Sequence, residues 1–444
     1  MIRKKGIIVA LICIASLSMI GCEKNNVEEK SVSTKVYKVI NGDISKGSSI
    51  FNERIIVEKY NKYGIQSIDG ENIEEIIYDK IIRVSENSYY LEKEGKGVIK
   101  NIVNNRIIEV NEIEKISDDY LRVAYKGEFG IVDKNLNWIL PLEYDYLDYN
   151  KEYVIVAKEG VIEVYDKEFK KLEIENNTRV ILGIGKYLYS VKNNKLGVID
   201  KNGKVIITPK YDNFLKLNDR DIMIGYKDGK SYLINLETKK EKLLDYENFG
   251  EESEGMILTL KDRKLGYIDI EGNEIIPNKY EAAFKVQMGS KYLQVKENEK
   301  WMLVNKKGEV YKELPYDDLG EYKDGYILVV SNNKLGYIDD EGNEKIVPQF
   351  IYATSFKNGY AVVGEESGFG VINKENEKVI PLIYDEVEIK DNYVYVKMDN
   401  KRGILDLNGH EILSVIYDEL GDIENNILFY KKDNESGYME LITK

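Results

Sequence analysis

One short phrase, a glycine followed by two apolar residues and Asp or Asn, recurs along the chain at a nearly constant interval. Twelve copies can be phased on this glycine, 33 to 36 residues apart, and nine of the twelve phase positions are glycine. The phase positions are Gly64, Gly97, Gly130, Glu163, Gly197, Tyr232, Gly266, Met302, Gly336, Gly370, Gly403 and Gly437. Self-similarity with a period of about 20 to 50 residues indicates a solenoid or a propeller, in which each copy is one small structural unit.

Each copy reads as short strands joined by tight turns. In the ninth copy an apolar run at 326–330 precedes the phrase at 334–339, and a further apolar run follows at 344–348. Asp339 and Gly342 suit a tight turn, because Asp accepts backbone N–H groups and glycine tolerates positive φ. All six prolines lie 11 to 13 residues after phase zero, where we expect this third strand to end, because proline cannot donate to a ladder. No stretch of ten or more residues shows helical periodicity, so the chain is predicted to be all-β.

A tyrosine followed by an acidic residue stands fourteen residues after phase zero in eight copies. These tyrosines are Tyr78, Tyr144, Tyr211, Tyr246, Tyr280, Tyr316, Tyr384 and Tyr417. We expect the rings to pack between neighbouring copies, with the acids satisfying turn N–H groups. The alternative is that the pairs line one face with aromatics and carboxylates, which would suit sugar rings or basic peptides.

The phrases Lys264-Leu-Gly-Tyr-Ile-Asp269 and Lys334-Leu-Gly-Tyr-Ile-Asp339 resemble the Lys-Trp-Gly-apolar-Ile-Asp phrase of the WG-repeat family, also called KWG repeats. The signature tryptophan is replaced by another residue in most copies, and Trp301 keeps it next to Met302. The resemblance covers about residues 36–444. It implies a tandem β-repeat array of a kind found in bacterial surface and secreted proteins, and it supplies no catalytic residues.

A copy of about 34 residues cannot bury both of its faces, so neighbouring copies must stack. We predict one or more β-propeller-like toroids, with a curved open solenoid as the alternative. Val36-Tyr-Lys-Val-Ile40 resembles Val310-Tyr-Lys312, a second hairpin strand, while the chain ends after a first hairpin strand at 437–442. These complementary ends favour closure.

The first residues resemble a secretion signal. Arg3, Lys4 and Lys5 precede an apolar run at 6–20 that is shorter than the roughly 20 residues needed to span a bilayer. The sequence at 17–22, Leu-Ser-Met-Ile-Gly-Cys, resembles the lipobox of bacterial lipoproteins, with Met19 where that family usually has Leu. This resemblance implies that Cys22 is acylated and becomes the mature N-terminus. We therefore expect a signal peptide at 1–21, a flexible stalk at 22–35 and the repeat array at 36–444.

The composition excludes most catalytic chemistry. One histidine and two cysteines are too few for a zinc site or a disulfide framework, so we expect no cofactor and no metal. Carboxylates such as Asp200 and Asp269 occupy equivalent turn positions, where a structural role accounts for them, and no calcium-loop spacing occurs. His410 follows a turn glycine and is expected to be a solvated turn residue. We predict that the protein is not an enzyme, with a carboxylate-dependent hydrolase as a minor alternative.

Charge narrows the class of partner. The formal charge of −14 becomes −17 when residues 1–21, which carry three basic residues, are removed. Such a charge repels nucleic acid, and we saw no basic patch in the sequence, so a cationic or neutral protein or polysaccharide partner is expected. Trp138 and Trp301 depart from the repeat pattern and are the candidate ligand contacts. The sequence predicts a lipid-anchored binding or scaffolding module on the extracytoplasmic face of the cell membrane, or a structural component of an envelope complex.

Overall fold

The computed structural model describes residues 32–38, 46–67, 70–174, 179–183, 185–217, 221–423, 426–433 and 435–443. Cys22 and the predicted signal peptide lie outside this range, so the structure does not bear on lipidation. Within it every regular element is a strand, and no helix is long and apolar enough to cross a membrane. The all-β prediction is confirmed.

The strands form twelve small antiparallel sheets, here called blades and numbered along the chain. Blade 1 contains β2 (Lys46–Phe51), β3 (Arg54–Lys59), β4 (Lys62–Ser67) and β5 (Asn72–Tyr78); blade 2 contains β6 (Lys80–Arg83), β7 (Ser88–Lys93), β8 (Lys96–Asn101) and β9 (Ile107–Val110); blade 3 contains β10 (Glu112–Lys115), β11 (Tyr120–Tyr125), β12 (Glu128–Asp133) and β13 (Trp138–Tyr144). Blade 4 contains β14 (Tyr146–Tyr149), β15 (Tyr153–Lys158) and β16 (Val161–Asp166); blade 5 contains β17 (Arg179–Leu182), β18 (Leu188–Lys192), β19 (Lys195–Ile199) and β20 (Val205–Tyr211); blade 6 contains β21 (Asn213–Lys216), β22 (Ile222–Lys227), β23 (Lys230–Asn235) and β24 (Lys240–Leu244).

Blade 7 contains β25 (Asn248–Ser253), β26 (Met256–Lys261), β27 (Lys264–Asp269) and β28 (Glu274–Tyr280); blade 8 contains β29 (Ala282–Ala283), β30 (Leu293–Glu297), β31 (Lys300–Val304) and β32 (Val310–Leu314); blade 9 contains β33 (Asp318–Lys323), β34 (Tyr326–Ser331), β35 (Lys334–Ile338) and β36 (Glu344–Phe350). Blade 10 contains β37 (Tyr352–Ala353), β38 (Tyr360–Glu365), β39 (Gly368–Asn373) and β40 (Lys378–Tyr384); blade 11 contains β41 (Glu386–Lys390), β42 (Tyr393–Met398), β43 (Lys401–Asp406) and β44 (Glu411–Tyr417). Blade 12 contains β45 (Glu419–Leu420), β46 (Ile427–Lys432), β47 (Glu435–Thr443) and, from the other end of the chain, β1 (Val32–Lys38).

The two ends of the described chain close the array into a single ring. β1 pairs antiparallel with β47 over seven residues, from Val32 opposite Thr443 to Lys38 opposite Gly437, and so supplies the fourth strand of blade 12. The toroid prediction is confirmed, and the open-solenoid alternative is wrong because pairing at blade 12 removes the free ends. The predicted stalk at 22–35 is four residues too long at its end, because residues 32–35 pair with β47.

The hydrophobic core is divided among the blade interfaces. Twelve clusters of buried residues occur in the described chain, one between each pair of successive blades. The closing cluster joins Ile55 and Val57 of blade 1 to Phe429 and Tyr438 of blade 12. Because twelve interfaces of one kind return to the starting blade, the copies make one ring and not two.

The repeat glycine lets the fourth strand cross close to the third. At Gly266 an added Cβ would lie 2.6 Å from the carbonyl oxygen of Ile276 and 2.7 Å from the backbone nitrogen of Asn278. The ladder shifts register here, between Leu265 opposite Tyr280 and Tyr267 opposite Ile276. Five of the six prolines lie inside a fourth strand and not at its end, so that prediction is wrong for them. The irregular pairing opposite the glycine tolerates a residue without an N–H.

Alternate turns of a meander lie at opposite ends of a blade. One end of the ring, here the turn rim, carries the turns from first to second and from third to fourth strands. The other end, the hairpin rim, carries the second-to-third hairpins and the links to the next blade. Among the described residues of blade 4 the fourth strand is reduced to a bridge between Tyr165 and Lys171.

Candidate functional site

The acid of each tyrosine–acid pair caps the next blade. It stands just before a first strand, and its side-chain oxygen accepts the N–H at the tip of that blade's second-to-third hairpin. Nine bonds of this kind, 2.6 to 3.1 Å long, run to Asp79, Asn111, Asp145, Asp212, Glu247, Glu281, Asp317, Asp385 and Asp418. All eight acids of the tyrosine–acid pairs are among them, so their repetition has a structural cause.

Four of these acids, Asp79, Asp212, Glu281 and Asp418, also receive a lysine from the preceding blade. Lys195 donates to Asp212 and Lys401 donates to Asp418, the latter at 2.7 Å. The hydrogen bond from Lys195 lowers the pKa of Asp212, and the backbone N–H of Asp228 lowers it further. The pKa is lowered in all four, so each of these four links ties one blade to the next through a group that stays ionised at neutral pH.

The repeated Asp or Asn of the third-to-fourth turn is also engaged within its turn. In eight blades its Oδ1 accepts the backbone N–H groups two and four residues later, at 2.7 to 3.1 Å. These residues are Asp133, Asp166, Asp200, Asp269, Asn305, Asp339, Asn373 and Asp406. The structural interpretation of these carboxylates is confirmed.

The repeated tyrosines pack between blades, as the first of the two sequence interpretations expected. Tyr211 and Tyr280 are fully buried, and Phe350 takes the same place in blade 9. The hydroxyl of Tyr211 donates to Glu241 of the next blade at 2.6 Å. Burial, followed by the nearby Glu74 carboxylate, raises the pKa of Tyr78 to about 12. The buried rings, those of Tyr144, Tyr211, Tyr280 and Tyr384, are not available for stacking on a sugar.

The structure separates the two tryptophans that were predicted to contact ligand. Trp301 is only 4% exposed, lies in the core between blades 8 and 9 and stacks on Phe284 at a ring-centroid distance of 5.7 Å. A ligand at the surface does not reach it, so the structure gives it a packing role. Trp138 is 43% exposed at the start of β13 and remains a candidate contact. His410 is exposed and its Nδ1 lies 2.9 Å from Asp406 Oδ2, as expected for a turn residue.

Several ion pairs on the turn rim join consecutive blades. Lys374 of blade 10 pairs with Asp324 of blade 9 at 2.9 Å, and Lys291 of blade 8 pairs with Glu341 of blade 9 at 2.5 Å. All four side chains are partly exposed, so each pair contributes little alone. In the described residues, no group of three or more His, Cys, Asp or Glu side chains is arranged to hold a metal ion.

The turn rim of blades 4 to 6 carries a cleft. Two adjoining hollows of 730 and 590 Å³ share Glu152, Lys186, Tyr187 and Leu236. Five lysines and five carboxylates line the larger hollow above an apolar floor. Its charged residues are Lys167, Lys170, Lys186, Lys201, Lys239, Glu152, Asp166, Glu168, Asp200 and Glu237. Sequence reasoning missed this cleft, because its lining residues come from three different copies.

Comparison with known proteins accounts for the repeat. The sequence profile of one family, described as WG containing repeat, matches residues 129–161, 197–217, 266–301, 301–334, 336–366, 369–401 and 403–435. The chain belongs to the WG-repeat family. This WG-repeat protein has no match among curated proteins. Residues 162–196 and 218–265 lie between the matched stretches and supply much of the cleft, so the cleft is built where the WG repeat departs from its family pattern.

Solved structures that resemble the WG-repeat ring do so distantly. A eukaryotic initiation factor is 13% identical with a TM-score of 0.33, covering 73% of this chain and 98% of its own. The extracellular domain of BT4673 from B. thetaiotaomicron is 12% identical with a TM-score of 0.22, and the match covers 89% of this chain and 75% of that domain. PorZ, a surface component of the type-IX secretion system of Porphyromonas gingivalis, is 12% identical with a TM-score of 0.23, and the match covers 89% of this chain and 79% of PorZ. At these TM-scores the likenesses carry no argument about function.

Proposed function

We propose that this WG-repeat protein is a non-catalytic binding module, tethered through Cys22 to the extracytoplasmic face of the cell membrane, which recognises a protein or polysaccharide. One observation carries the proposal. The polar side chains that recur from copy to copy are engaged in holding the ring together, as caps for the next blade and as acceptors inside turns. Such groups supply a rigid scaffold and no repeated catalytic centre.

The tether rests on the lipobox-like sequence that ends at Cys22. Each acyl methylene buried in a bilayer contributes about 0.8 kcal/mol, so one chain holds weakly and two or three hold firmly. Because β1 begins at Val32, nine residues, 23–31, separate Cys22 from the ring. A chain of that length reaches at most about 35 Å, so the ring would stay close to the membrane surface.

The acidic part of the turn rim is the surface proposed for a cationic or neutral partner. Glu271 and Asp340 lie in the third-to-fourth turns of blades 7 and 9, and the exposed Glu344 begins the fourth strand of blade 9. Binding of a cationic protein there should weaken as salt rises, because screening at physiological ionic strength acts over about 8 Å. The exposed ring of Trp138 on blade 3 is the proposed contact for a neutral sugar face.

Membrane fractionation of a Cys22→Ser variant tests the tether. The wild-type protein should sediment with membranes and the variant should be released, whereas a variant that still sediments entirely with membranes contradicts the anchor. Crosslinking on intact cells, followed by mass spectrometry, tests the binding role by identifying the neighbour. Recovery of the ring with no crosslinked protein or glycan, under conditions that capture a known surface complex, contradicts that role.

A further inference from the structure

One position in the third-to-fourth turn has a recurring use. It is the turn-closing residue, which directly follows the residue of positive φ. In six blades its side chain bonds back to the Asp or Asn four residues earlier. The bonded pairs are Asn137 with Asp133, Asn273 with Asp269, Glu309 with Asn305, Asn343 with Asp339, Glu377 with Asn373 and His410 with Asp406, at 2.6 to 3.0 Å. In these blades the side chain is therefore occupied by the turn itself.

Blades 4 and 5 have lysine at this position, and in blade 6, whose turn is one residue longer, Lys240 follows the residue of positive φ five residues after Asn235. Lys170, Lys204 and Lys240 follow Phe169, Gly203 and Lys239, whose φ angles are 60°, 76° and 57°. The backbone N–H groups of Lys170 and Lys204 still donate to the turn aspartates, at 2.8 and 3.0 Å. All three side chains are exposed, and their ammonium groups form no ion pair or hydrogen bond with any residue in the described ranges.

The carboxylates around these lysines are mostly engaged. Asp166 and Asp200 each accept two turn N–H groups, and Asp221 pairs with Lys186 at 2.8 Å. Glu168 lies 3.8 Å from Lys167, so Glu152 and Glu237 are the remaining acids of the larger hollow. Lys201 and Lys239 also line this hollow. The rim of blades 4 to 6 thus presents more unengaged ammonium groups than unengaged carboxylates, on a protein that is acidic overall.

We propose that Lys170, Lys201, Lys204, Lys239 and Lys240, here called the lysine arc, bind a linear anionic glycopolymer that carries repeated carboxylate or phosphate groups. The third-to-fourth turns of three successive blades each offer at least one exposed ammonium group. A polymer with repeated charges can engage all three turns, whereas a small anion can engage one. The net charge of the ring does not forbid this, because charges further than about 8 Å away are largely screened at physiological ionic strength.

A glycopolymer fits this arc better than a nucleic acid. Single-stranded nucleic acids gain much of their affinity by stacking bases on exposed aromatic rings. The aromatic residues that line the hollow, Tyr153 and Tyr187, are buried, and the hydroxyl of Tyr153 is committed to the carbonyl of Lys186 at 2.6 Å. This inference goes beyond the proposed function, because it adds a site of opposite charge to the acidic surface of blades 7 and 9. It also departs from the sequence expectation that no basic patch exists.

The test measures polymer binding by the full chain in a non-ionic detergent. Fluorescently labelled polygalacturonate and poly(glycerol phosphate) represent the carboxylate and phosphate forms, with dextran as the uncharged comparison and single-stranded DNA as the competing class. The site variant is Lys170→Asn, Lys204→Asn and Lys240→Asn together. At positions 170 and 204 it copies the residue found at Asn137, Asn273 and Asn343, so these two turns should fold as those do, and at the exposed position 240 it removes the charge. The control variant is Lys93→Asn, Lys96→Asn and Lys230→Asn, which removes the same charge from exposed positions on the hairpin rim.

We expect at least one anionic polymer to bind more tightly than dextran and to be weakened by salt. Each exposed ammonium contact accounts for a roughly 1.5- to 5-fold change in Kd, so the site variant, which removes three, should bind about 3- to 100-fold more weakly. The control variant should change Kd by less than about 2-fold. Equal losses in both variants, no preference for either anionic polymer over dextran, or tighter binding of DNA than of both polymers would overturn the proposal. Because binding is measured away from cells, failure here leaves the Cys22 tether and the crosslinking result unaffected.

Discussion

Replacing the repeat glycine of blade 7, Gly266→Ala, tests whether the close crossing of third and fourth strands shapes the blade. The added methyl would meet the backbone of Ile276 and Asn278 at 2.6 and 2.7 Å, and backbone cannot rotate away as a side chain does. Overpacking of this kind costs about 1–3 kcal/mol. Alanine also restricts the unfolded chain, which returns about 0.4–1 kcal/mol. The free energy of unfolding should therefore fall by about 1–2 kcal/mol.

Gly250→Ala is the matched control in the same blade. Its Cβ would first meet the side chain of Leu258, at 3.1 Å, and no backbone atom lies nearer than 3.8 Å. Leu258 can give by a few tenths of an ångström, so this variant should unfold within about 0.5 kcal/mol of the parent protein. The two substitutions make the same chemical change and differ in whether backbone or side chain must move.

Urea unfolding read by tryptophan fluorescence provides the measurement. In a Trp138→Phe background the signal comes from Trp301, which is buried in the adjacent blade 8 and neighbours Met302 of the blade 7–8 cluster. The midpoint for Gly266→Ala should fall by about 0.5 M, given slopes of about 1–3 kcal/mol/M or more. If the Gly266→Ala and Gly250→Ala variants share the parent's midpoint, the close crossing does not constrain the glycine and the reasoning is refuted.

Two further predictions concern closure and pH. Deleting residues 32–38 removes the strand paired with β47, so hydrogen exchange should accelerate first in blade 12 and then at the blade 12–1 interface; uniform protection would show that closure adds no stability. The folded pKa values of Asp212 and Asp418 lie below the ordinary 3.8, so their stabilising bonds are present at neutral pH and are lost as pH falls below about 4. Asp212→Asn should therefore show a smaller loss of stability between neutral and acidic pH than the parent, and an equal loss would contradict this.

Much of the fold could be predicted because each copy repeats the same turn residues and the same strand-like segments. Asp339 with Gly342 predicts a turn, and the structure places both in one, with the Gly342 N–H donating to the Asp339 carbonyl at 3.0 Å. The likeness of 36–40 to 310–312 predicted closure, and β1 and β32 are both fourth strands. Turn chemistry and strand likeness are local properties, so the sequence carries them directly.

Other features depend on contacts between copies. The acid after each tyrosine could be assigned to a turn, but its acceptor role in the following blade, as for Asp145 and the N–H of Glu159, needs the relative placement of two blades. The burial of Trp301 likewise depends on blade 9. The fourth strand continues past Pro277 because the partner residue Gly266 leaves the ladder irregular there. Periodicity gives the number of copies, but whether they close as one ring is set by the interfaces.

Because the recurring polar side chains are engaged in hydrogen bonds that hold the ring together, function in such a ring should be sought at side chains that do not recur. A side chain that recurs in nearly every blade, as the acids of the tyrosine–acid pairs do, is accounted for by a hydrogen bond that every blade needs. A side chain that differs from its counterparts in the other blades is not explained by such a hydrogen bond. Its blade also lacks the hydrogen bond that those counterparts form. Lys170 and Lys204 give up the return bond that Asn273 and Asn343 form with their turn aspartates. Because the two successive blades 4 and 5 lose the same bond in the same way, a shared ligand explains the loss better than two independent substitutions do.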